Sequence, residues 1–348
     1  MTTSLSKLFD IELPIIQAPM AGAHTSAMPI AVSQAGGLGS LACAMMDHAT
    51  LERELQTVSG QLGGRPYNVN FFCHAVPQPD PRREATWRQT LAPFFAELDI
   101  DPASIAPGPG RMPFDQACAD ILKAFHPPVV SFHFGLPDET LLGQVKGWGA
   151  KVLATATTVD EGLWLQARGA DAVIAQGLEA GGHRGIFLTD EVSTQVGLFA
   201  LLPQLVDALN VPVIAAGGIA DARGVQACLS LGAVAAQIGT SYLLCNEASI
   251  SALHRQALQS EGARHTAVTN LFTGRPARGI MNRYMRELGP LREDAPRFPL
   301  ATTTAAALRA AAEKRGSSDF SPLWAGQNTR GCAPIDAAAM TRRLAGAA

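Results

Sequence analysis

The sequence predicts an α/β protein built on a (β/α)8 TIM barrel, and three observations lead to this fold class. Eight short apolar segments recur along the first 245 residues, and helical patterns separate them. These segments are continuously apolar rather than alternating, as in parallel strands that are covered on both faces. Glycines follow the last two segments, which is where barrels of this class commonly bind phosphate. The 348 residues, 47% of them hydrophobic, are also sufficient for a large core.

The eight predicted strands come from the apolar segments. In chain order they are PIIQAP (14–19), GLGSLACA (37–44), YNVNFF (67–72), PVVSFHF (128–134), KVLATA (151–156), DAVIAQG (171–177), VPVIAAGG (211–218) and AAQIGTS (235–241). Intervening residues such as 158–168 and 222–231 have helical patterns. A doubly wound sheet competes with the barrel, but it places a glycine fingerprint after its first strand. Here the first strand ends in Ala18-Pro19-Met20 and no GxGxxG follows, which favours the barrel.

Two segments are longer than the minimal strand and helix repeat requires. Residues from about 74 to 111 are rich in proline and predict a surface excursion from a barrel domain that spans 1–245. Residues 246–320 are too many for one closing helix, so they predict a smaller, mostly helical lid over a substrate site. The alanine-rich stretch 302–314 predicts a helix in this lid. Residues 321–348, with LWAGQ at 323–327, are expected to return to the barrel.

Composition excludes several classes of partner. A formal net charge of −3 without a basic stripe predicts no nucleic-acid or membrane-surface partner. The N-terminal stretch MTTSLSKLFDIELP lacks the apolar run of a secretory signal, and the apolar stretch 26–46 is interrupted by Pro29 and glycines. Six scattered cysteines without a CxxC pair indicate reduced thiols in a cytoplasmic protein. No metal site is predicted, because no HxxxH or Cys/His cluster has ligand spacing. The sequence leaves the oligomeric state open.

Glycines after the seventh and eighth strands predict an anion site. The seventh strand ends in AAGG (215–218) and the eighth in QIGT (237–240). Backbone N–H groups at such glycines can point at a phosphate, and Thr240 adds a hydroxyl group. The same glycines could simply turn the chain from strand into helix, and the pattern alone leaves both interpretations open. A larger nucleotide is not favoured, since no further glycine loop or ribose-binding acid is evident.

Polar side chains at other strand ends suit a flavin. Asn70 lies in the third strand and Gln176 closes the sixth. A flavin ring needs hydrogen-bond partners around its pyrimidine edge and apolar walls elsewhere. Either amide could instead satisfy backbone groups in the core, which is the more common role of a lone amide.

The stretch EAGGHRG (179–185) places an imidazole and a guanidinium, those of His183 and Arg184, among glycines. Glycine lets a ligand approach the backbone closely at an entropic cost, so this stretch predicts a bound ligand beside a titratable imidazole. The alternative for His183 is a structural cap on the sixth strand. Arg184 could attract an anion or pair with Glu179 outside the pocket. For His74, a site role and a structural role remain open.

Seven motifs in order resemble the nitronate monooxygenases, formerly called 2-nitropropane dioxygenases, and in particular their class I. They are QAPMAG (17–22), VNFFCH (69–74), SFHFGLP (131–137), QGLEAGGHRG (176–185), AAGGI (215–219), QIGT (237–240) and LWAGQ (323–327). SFHFGLP and EAGGHRG are specific, whereas AAGGI and QIGT occur in many FMN barrels. The resemblance implies an FMN-containing barrel with an inserted domain. It also implies oxidation of nitronates, such as propionate 3-nitronate and alkyl nitronates, by O2 to a carbonyl product and nitrite.

The resemblance further implies individual site residues. The two active-site histidines match His183 and His133. The implied FMN contacts are Met20, Asn70, Gln176, Gly181, Gly217, Gly218, Gly239 and Thr240. Family members use tyrosine hydroxyls near the substrate, but the corresponding stretch here contains Phe298. Substrate preference, including the use of neutral nitroalkanes, is therefore left open.

His183 is the expected catalytic residue. With an ordinary pKa near 6.5, an imidazole can take a proton from the carbon that bears a nitro group, or interact with an anionic nitronate. His133 lies between Phe132 and Phe134 and could instead be a hydrogen-bonded core residue. Three other functions compete: an NAD(P)H-dependent FMN reductase of the quinone or enoyl type, a non-catalytic FMN-binding barrel, and an FMN-free phosphate-binding isomerase.

Overall fold

The computed structural model describes residues 8–106 and 110–347, and it confirms the (β/α)8 barrel. Residues 1–7 of the N-terminal stretch, 107–109 of the predicted excursion and the last residue lie outside the described part. Each barrel strand falls within a predicted apolar segment. The strands are β1 (Ile15–Gln17), β2 (Gly39–Ala42), β3 (Tyr67–Phe72), β4 (Val129–His133), β5 (Lys151–Ala156), β6 (Ala172–Gln176), β8 (Val213–Ala216) and β9 (Ala235–Ile238).

The barrel strands pair in parallel in the order β1-β9-β8-β6-β5-β4-β3-β2. A parallel bridge between Ile16 and Leu38 joins the two ends of this sheet. At this seam the Gln17 N–H donates to the Leu38 carbonyl at 2.9 Å. Because all eight strands run in one direction, their C-terminal ends meet at a single rim, where barrels of this fold carry their active sites.

Twelve α-helices lie within the described residues. They are α1 (Ala27–Gln34), α2 (His48–Leu62), α3 (Pro81–Glu97), α4 (Gln116–Phe125), α5 (Glu139–Gly147), α6 (Val159–Ala167), α7 (Leu198–Ala208), α8 (Ala222–Ser230), α9 (Ala252–Gln259), α10 (Arg283–Leu288), α11 (Thr302–Lys314) and α12 (Ala337–Ala345). Several begin at an aspartate whose carboxylate accepts a backbone N–H of the first turn, such as Asp47, Asp138 and Asp221. The helices cover the outer face of the sheet with buried apolar side chains.

The proline-rich excursion packs against the residues that follow the barrel. Trp87 and Phe94 of α3 join Leu308 of α11 and Phe320 in one hydrophobic cluster. The Trp87 indole N–H donates to the Thr304 hydroxyl at 3.1 Å. The excursion and the segment after β9 therefore share a core outside the barrel.

An antiparallel sheet joins the same outer segment to the EAGGHRG stretch. Its strands are β7 (Gly182–His183), β10 (Thr266–Thr269) and β11 (Ala277–Ile280), paired in the order β10-β11-β7. The sequence did not predict these strands. They place a backbone ladder beside the rim, with Ala277 opposite His183.

Two smaller predictions can be compared with the described residues. All six cysteines are free thiols, and three of them are buried. No described helix combines the length and the apolar character that crossing a membrane requires.

Candidate active site

A cavity of about 410 Å³ opens at the C-terminal rim of the barrel. Its size falls in the range of small-molecule and cofactor sites. Strand ends form one wall, and residues from the segment after β9 form the other. The cavity is lined by every residue that the sequence resemblance implied: Met20, Asn70, His133, Gln176, Gly181, His183, Gly217, Gly218, Gly239 and Thr240.

The backbone of His183 is held from the barrel side. Its carbonyl accepts two hydrogen bonds, one from Gln176 Nε2 at 2.9 Å and one from His133 Nε2 at 3.1 Å. The Gln176 carboxamide oxygen also accepts from the Gly185 N–H at 2.7 Å. Together with the pairing of β7 to β11, these bonds fix the imidazole relative to both walls of the cavity.

Packing explains the glycines around His183. A Cβ on Gly181 would lie 2.5 Å from the backbone nitrogen of Gly326, and a Cβ on Gly185 would lie 2.6 Å from Thr155 Cγ2. Gly182 has φ +70°, a conformation that favours glycine. The chain can take this path beside the cavity only because Gly181, Gly182 and Gly185 have no side chains.

Thr273 hydrogen-bonds to the ring of His183. The His183 Nε2 lies 2.9 Å from Thr273 Oγ1, and the Arg275 carbonyl, a second partner of that hydroxyl, lies 3.3 Å from it. We assign the hydroxyl proton to this carbonyl, so that Nε2 carries the imidazole hydrogen and Nδ1 carries the lone pair. Nδ1 has no hydrogen-bond partner among residues 8–106 and 110–347. Burial, followed by the charge of Arg111, lowers the pKa of His183 well below its usual value.

Both ring nitrogens of His133 are already engaged. Nδ1 lies 3.1 Å from Thr155 Oγ1, and Nε2 donates to the His183 carbonyl. Burial lowers the pKa of His133 to about 3, so this ring is neutral near neutral pH. Its role is to hold the backbone of His183 through the hydrogen bond to the His183 carbonyl.

Glycine-rich turns line the opposite end of the cavity. Gly217 and Gly218 have φ +117° and +70°. The Thr240 hydroxyl accepts from the Gly326 N–H at 3.0 Å, which leaves its own proton available to a ligand. The Asn328 carboxamide donates to the Gly218 carbonyl at 3.1 Å. The LWAGQ segment and the residues after it thus close over the turns that follow β8 and β9.

Two amides contribute unused acceptors to the site. Asn70 Nδ2 donates to Ser131 Oγ at 2.9 Å, and its Oδ1 has no partner in the described parts of the chain. Gln237 lines the cavity from β9, and its Oε1 is buried without a hydrogen bond. Gln237 was not among the predicted site residues, although it belongs to the QIGT motif.

Comparison with known proteins identifies the family of the chain. The family model described as nitronate monooxygenase matches residues 2–344. A curated nitronate monooxygenase of Pseudomonas aeruginosa is 40% identical over 99% of this chain and 98% of its own length. The chain belongs to the nitronate monooxygenase family. It is therefore an enzyme of the oxidoreductase class, and the resemblance inferred from the motifs is confirmed.

Solved structures extend the comparison. A nitroalkane oxidase from Streptomyces ansochromogenes has a TM-score of 0.88 and 38% identity, with 99% of this chain and 97% of that chain covered. FabK from Thermotoga maritima has a TM-score of 0.74 and 25% identity, with 100% and 96% covered. The barrel and the outer segment are thus found together in other solved proteins.

Arg184 of this nitronate monooxygenase family member points away from the cavity. Its buried guanidinium donates to Gln195 Oε1 at 2.9 Å and to two carbonyls at the end of β6. It makes no ion pair with Glu179. That carboxylate instead accepts from the Leu198 N–H at the start of α7, at 2.9 Å. Neither group faces the site, so both predicted roles of Arg184 are wrong.

An aromatic and cationic wall flanks His183. The Phe298 ring lies 5.5 Å from the His183 ring and 4.8 Å from the buried His74 ring, between centroids. The Arg111 guanidinium lies 5.6 Å from the Phe298 centroid and lines the cavity. No motif marks Arg111, so the sequence carries no signal for its place in the cavity. His74 packs against Phe298 and does not itself line the cavity.

One group of possible metal ligands lies outside the cavity. Ligand atoms of His48, Asp115 and Cys118 are within 4.8 Å of one another. Asp115 is already occupied as the N-cap of α4, where it accepts from the Cys118 N–H at 2.8 Å. The sequence expectation that the protein holds no metal stays a prediction.

Proposed function

We propose that this protein is an FMN-dependent nitronate monooxygenase that oxidises nitronates with O2 to a carbonyl product and nitrite. Propionate 3-nitronate and alkyl nitronates are the proposed substrates. One observation carries the proposal: a neutral imidazole with a free Nδ1 faces a cavity whose far end is a glycine cradle. The family relationship supports the same reaction.

FMN fits the residues that are present. Gly217, Gly218, Gly239 and Thr240 would hold the phosphate through backbone N–H groups and one hydroxyl. The free acceptor of Asn70 suits the N–H of the isoalloxazine pyrimidine ring, while Met20, Gln176 and Gly181 would contact the ring system. When bound, FMN supplies the redox chemistry that links the nitronate to O2. Glu313 is the single acidic side chain among the described lining residues, and Arg309 and Ser321 bind it.

His183 would act as the general base for a neutral nitroalkane. Nδ1 takes the proton from the carbon that bears the nitro group, and the Thr273 hydroxyl accepts a hydrogen bond from Nε2 throughout. The nearby charge of Arg111 contributes to the lowered pKa of the imidazole, which keeps Nδ1 unprotonated and able to take that proton. A preformed nitronate has already lost this proton, so it needs His183 for orientation only.

His133 and Gln176 would position the base. Both donate to the His183 carbonyl, so their nitrogen atoms hold the backbone of the base rather than reach the reacting carbon. We therefore assign His133 a positioning role within the active site in place of proton transfer.

We also propose that residues 246–320 act as the substrate lid of a barrel domain spanning 1–245, and that 321–348 return to the barrel. Ile250 and His254 line the cavity on this side, as do Leu323 and Trp324 further along the chain. Such a cover would exclude water from the reacting face.

An aerobic nitrite assay tests the function. His183→Asn should reduce kcat/KM for neutral nitroethane by about a hundredfold or more, because a general base commonly contributes about 10² to 10⁴ in rate. Turnover of ethyl nitronate should fall by less than about tenfold. Thr273→Val is a second, milder variant. It keeps the imidazole but removes the hydroxyl group that fixes its tautomer. The rate with nitroethane should therefore again fall more than the rate with ethyl nitronate, but by a smaller factor than in His183→Asn. Equal turnover of nitroethane by His183→Asn and the parent would remove His183 from the base role.

The NAD(P)H-dependent FMN reductase is the second candidate, because the glycine elements are shared among FMN barrels. Anaerobic addition of NADH separates the two functions. Prompt bleaching of the flavin absorbance would favour the reductase, whereas slow or absent bleaching with rapid nitrite release from propionate 3-nitronate supports the monooxygenase. A protein that binds FMN and gives neither result would be a non-catalytic barrel.

A further inference from the structure

Arg111 is a partly buried cation. It comes from the proline-rich excursion and reaches the rim, where it lines the cavity with His183. Its side chain makes no hydrogen bond and no ion pair with any residue that the structure describes. A buried guanidinium usually has a carboxylate or carbonyl partner, because leaving it unpaired costs free energy.

Its surroundings provide no compensating charge. Arg275, the next cation along this wall, stacks 3.9 Å above the Phe134 ring, donates to the Ile186 carbonyl and lies near Asp190 and Glu161. Arg111 has burial as the cause of its lowered pKa and no acidic neighbour that raises it. The cavity therefore presents one uncompensated positive charge on the wall that carries the base.

The protein holds Arg111 in place from behind. His74 Nε2 donates to the Arg111 carbonyl at 2.9 Å, and the guanidinium lies 5.6 Å from the Phe298 centroid. Phe298 also contacts His183, at 5.5 Å between ring centroids. Arg111 and His183 make no hydrogen bond with each other, so they can contact different ends of one small substrate.

We propose that Arg111 is an anion-binding residue that binds a carboxylate at the far end of the substrate. This inference rests on the proposed function, because His183 is taken to face the carbon of the nitronate. A guanidinium binds a carboxylate through two parallel N–H donors, which gives both affinity and orientation. The cavity thus selects nitronates that carry a second anionic group a few atoms from the reacting carbon over nitronates with an apolar chain end.

Two unreactive isosteres test binding without turnover. Succinate matches propionate 3-nitronate, with one carboxylate in place of the nitronate group and the other at the distal end. Butyrate matches propyl 1-nitronate, with a methyl group at the distal end. Titration calorimetry on the FMN-loaded protein should show that succinate binds at least about tenfold more tightly than butyrate, since hydrogen bonds to charged groups contribute about this much.

Arg111→Met should weaken succinate binding by about 10- to 100-fold and change butyrate binding by less than about threefold. Arg111→Lys keeps the charge without the paired donors, so it should recover part of the succinate affinity. Arg65→Gln is the charge-matched control: its partner Glu12 lies 3.6 Å away, before β1 at the other end of the barrel. It should leave both affinities unchanged.

Turnover should follow the same division. For Arg111→Met, KM for propionate 3-nitronate rises while kcat/KM for propyl 1-nitronate stays within about threefold of the parent. Equal losses with both ligands, unchanged succinate affinity, or loss of bound FMN from Arg111→Met would each overturn the proposal. If the parent releases no nitrite but binds succinate in an Arg111-dependent manner, the proposed function fails and the carboxylate subsite stands.

Discussion

Replacing Gly181 by alanine tests whether the LWAGQ segment closes the cofactor site. The Cβ of Gly181→Ala would lie 2.5 Å from the Gly326 nitrogen and 2.6 Å from the Ala325 carbonyl carbon. Both are backbone atoms, so no side chain can rotate away. Ordinary contact begins at 3.4 Å, and the segment must therefore retreat by about 0.9 Å.

This retreat has a calculable effect on two quantities. Overpacking of this kind costs about 1 to 3 kcal/mol of folding free energy. It also pulls the Gly326 N–H away from the Thr240 hydroxyl, which it now meets at 3.0 Å. Since Thr240 belongs to the proposed phosphate cradle, we expect the dissociation constant for FMN to rise about 10- to 100-fold.

The assay is fluorescence of free FMN released on dilution, together with thermal unfolding of the apoprotein. Gly63→Ala is the control: Gly63 ends α2 at φ +56° with open space around it, so alanine there costs about 1 kcal/mol of stability far from the cavity. Parent-like FMN affinity in Gly181→Ala, with stability lowered as in the control, would refute the idea that this close approach holds the cofactor.

Three further outcomes are expected. Gly239→Asp should release FMN, whereas Gly239→Asn should largely retain it. A Cβ at this position meets only ordinary contacts, from 3.4 Å, so the two variants differ mainly in the charge of the carboxylate. Equal retention, measured by the ratio of flavin to protein absorbance, would contradict this placement of the phosphate. Because the pKa of His183 is lowered, kcat/KM for nitroethane should stay constant as the pH falls to 6.5 and should decline only below it. A decline centred at or above pH 6.5 would show that burial and the nearby charge do not lower the pKa of the base. Arg184→Met should lower the free energy of unfolding by about 3 to 5 kcal/mol in urea melts, since it removes the three hydrogen bonds of a buried guanidinium. A loss under about 1 kcal/mol would show that these bonds contribute little.

The barrel was predictable from the sequence because its strands are buried on both faces. Parallel strands covered on both faces are continuously apolar, and all eight predicted segments contain a strand. The antiparallel sheet had no comparable signal. Its strands are two to four residues long, and one of them, β7, lies inside a glycine stretch that reads as a turn. Short strands held by partners distant in sequence leave no periodic pattern.

The site was predictable where backbone conformation required glycine, and not where side chains meet across the fold. Sequence adjacency made Arg184 a candidate beside His183, but neighbouring residues of an extended strand point to opposite faces. Arg184 consequently enters the interior while the imidazole faces the cavity. The cation that shares the cavity wall is Arg111, 72 positions earlier in an excursion without a motif. Only the fold brings it to His183.

His183 is oriented by a hydroxyl group rather than by a carboxylate, and this lowers the basicity of the imidazole. A carboxylate at Nε2 would raise the pKa of the imidazole and make it a stronger base. Thr273 orients the ring without that charge, and burial together with Arg111 lowers the pKa instead. A base with a lowered pKa stays unprotonated as the pH falls, so the imidazole is present over a wide pH range in the form that can take the proton. The surroundings of His183 therefore favour the availability of the free base over its strength.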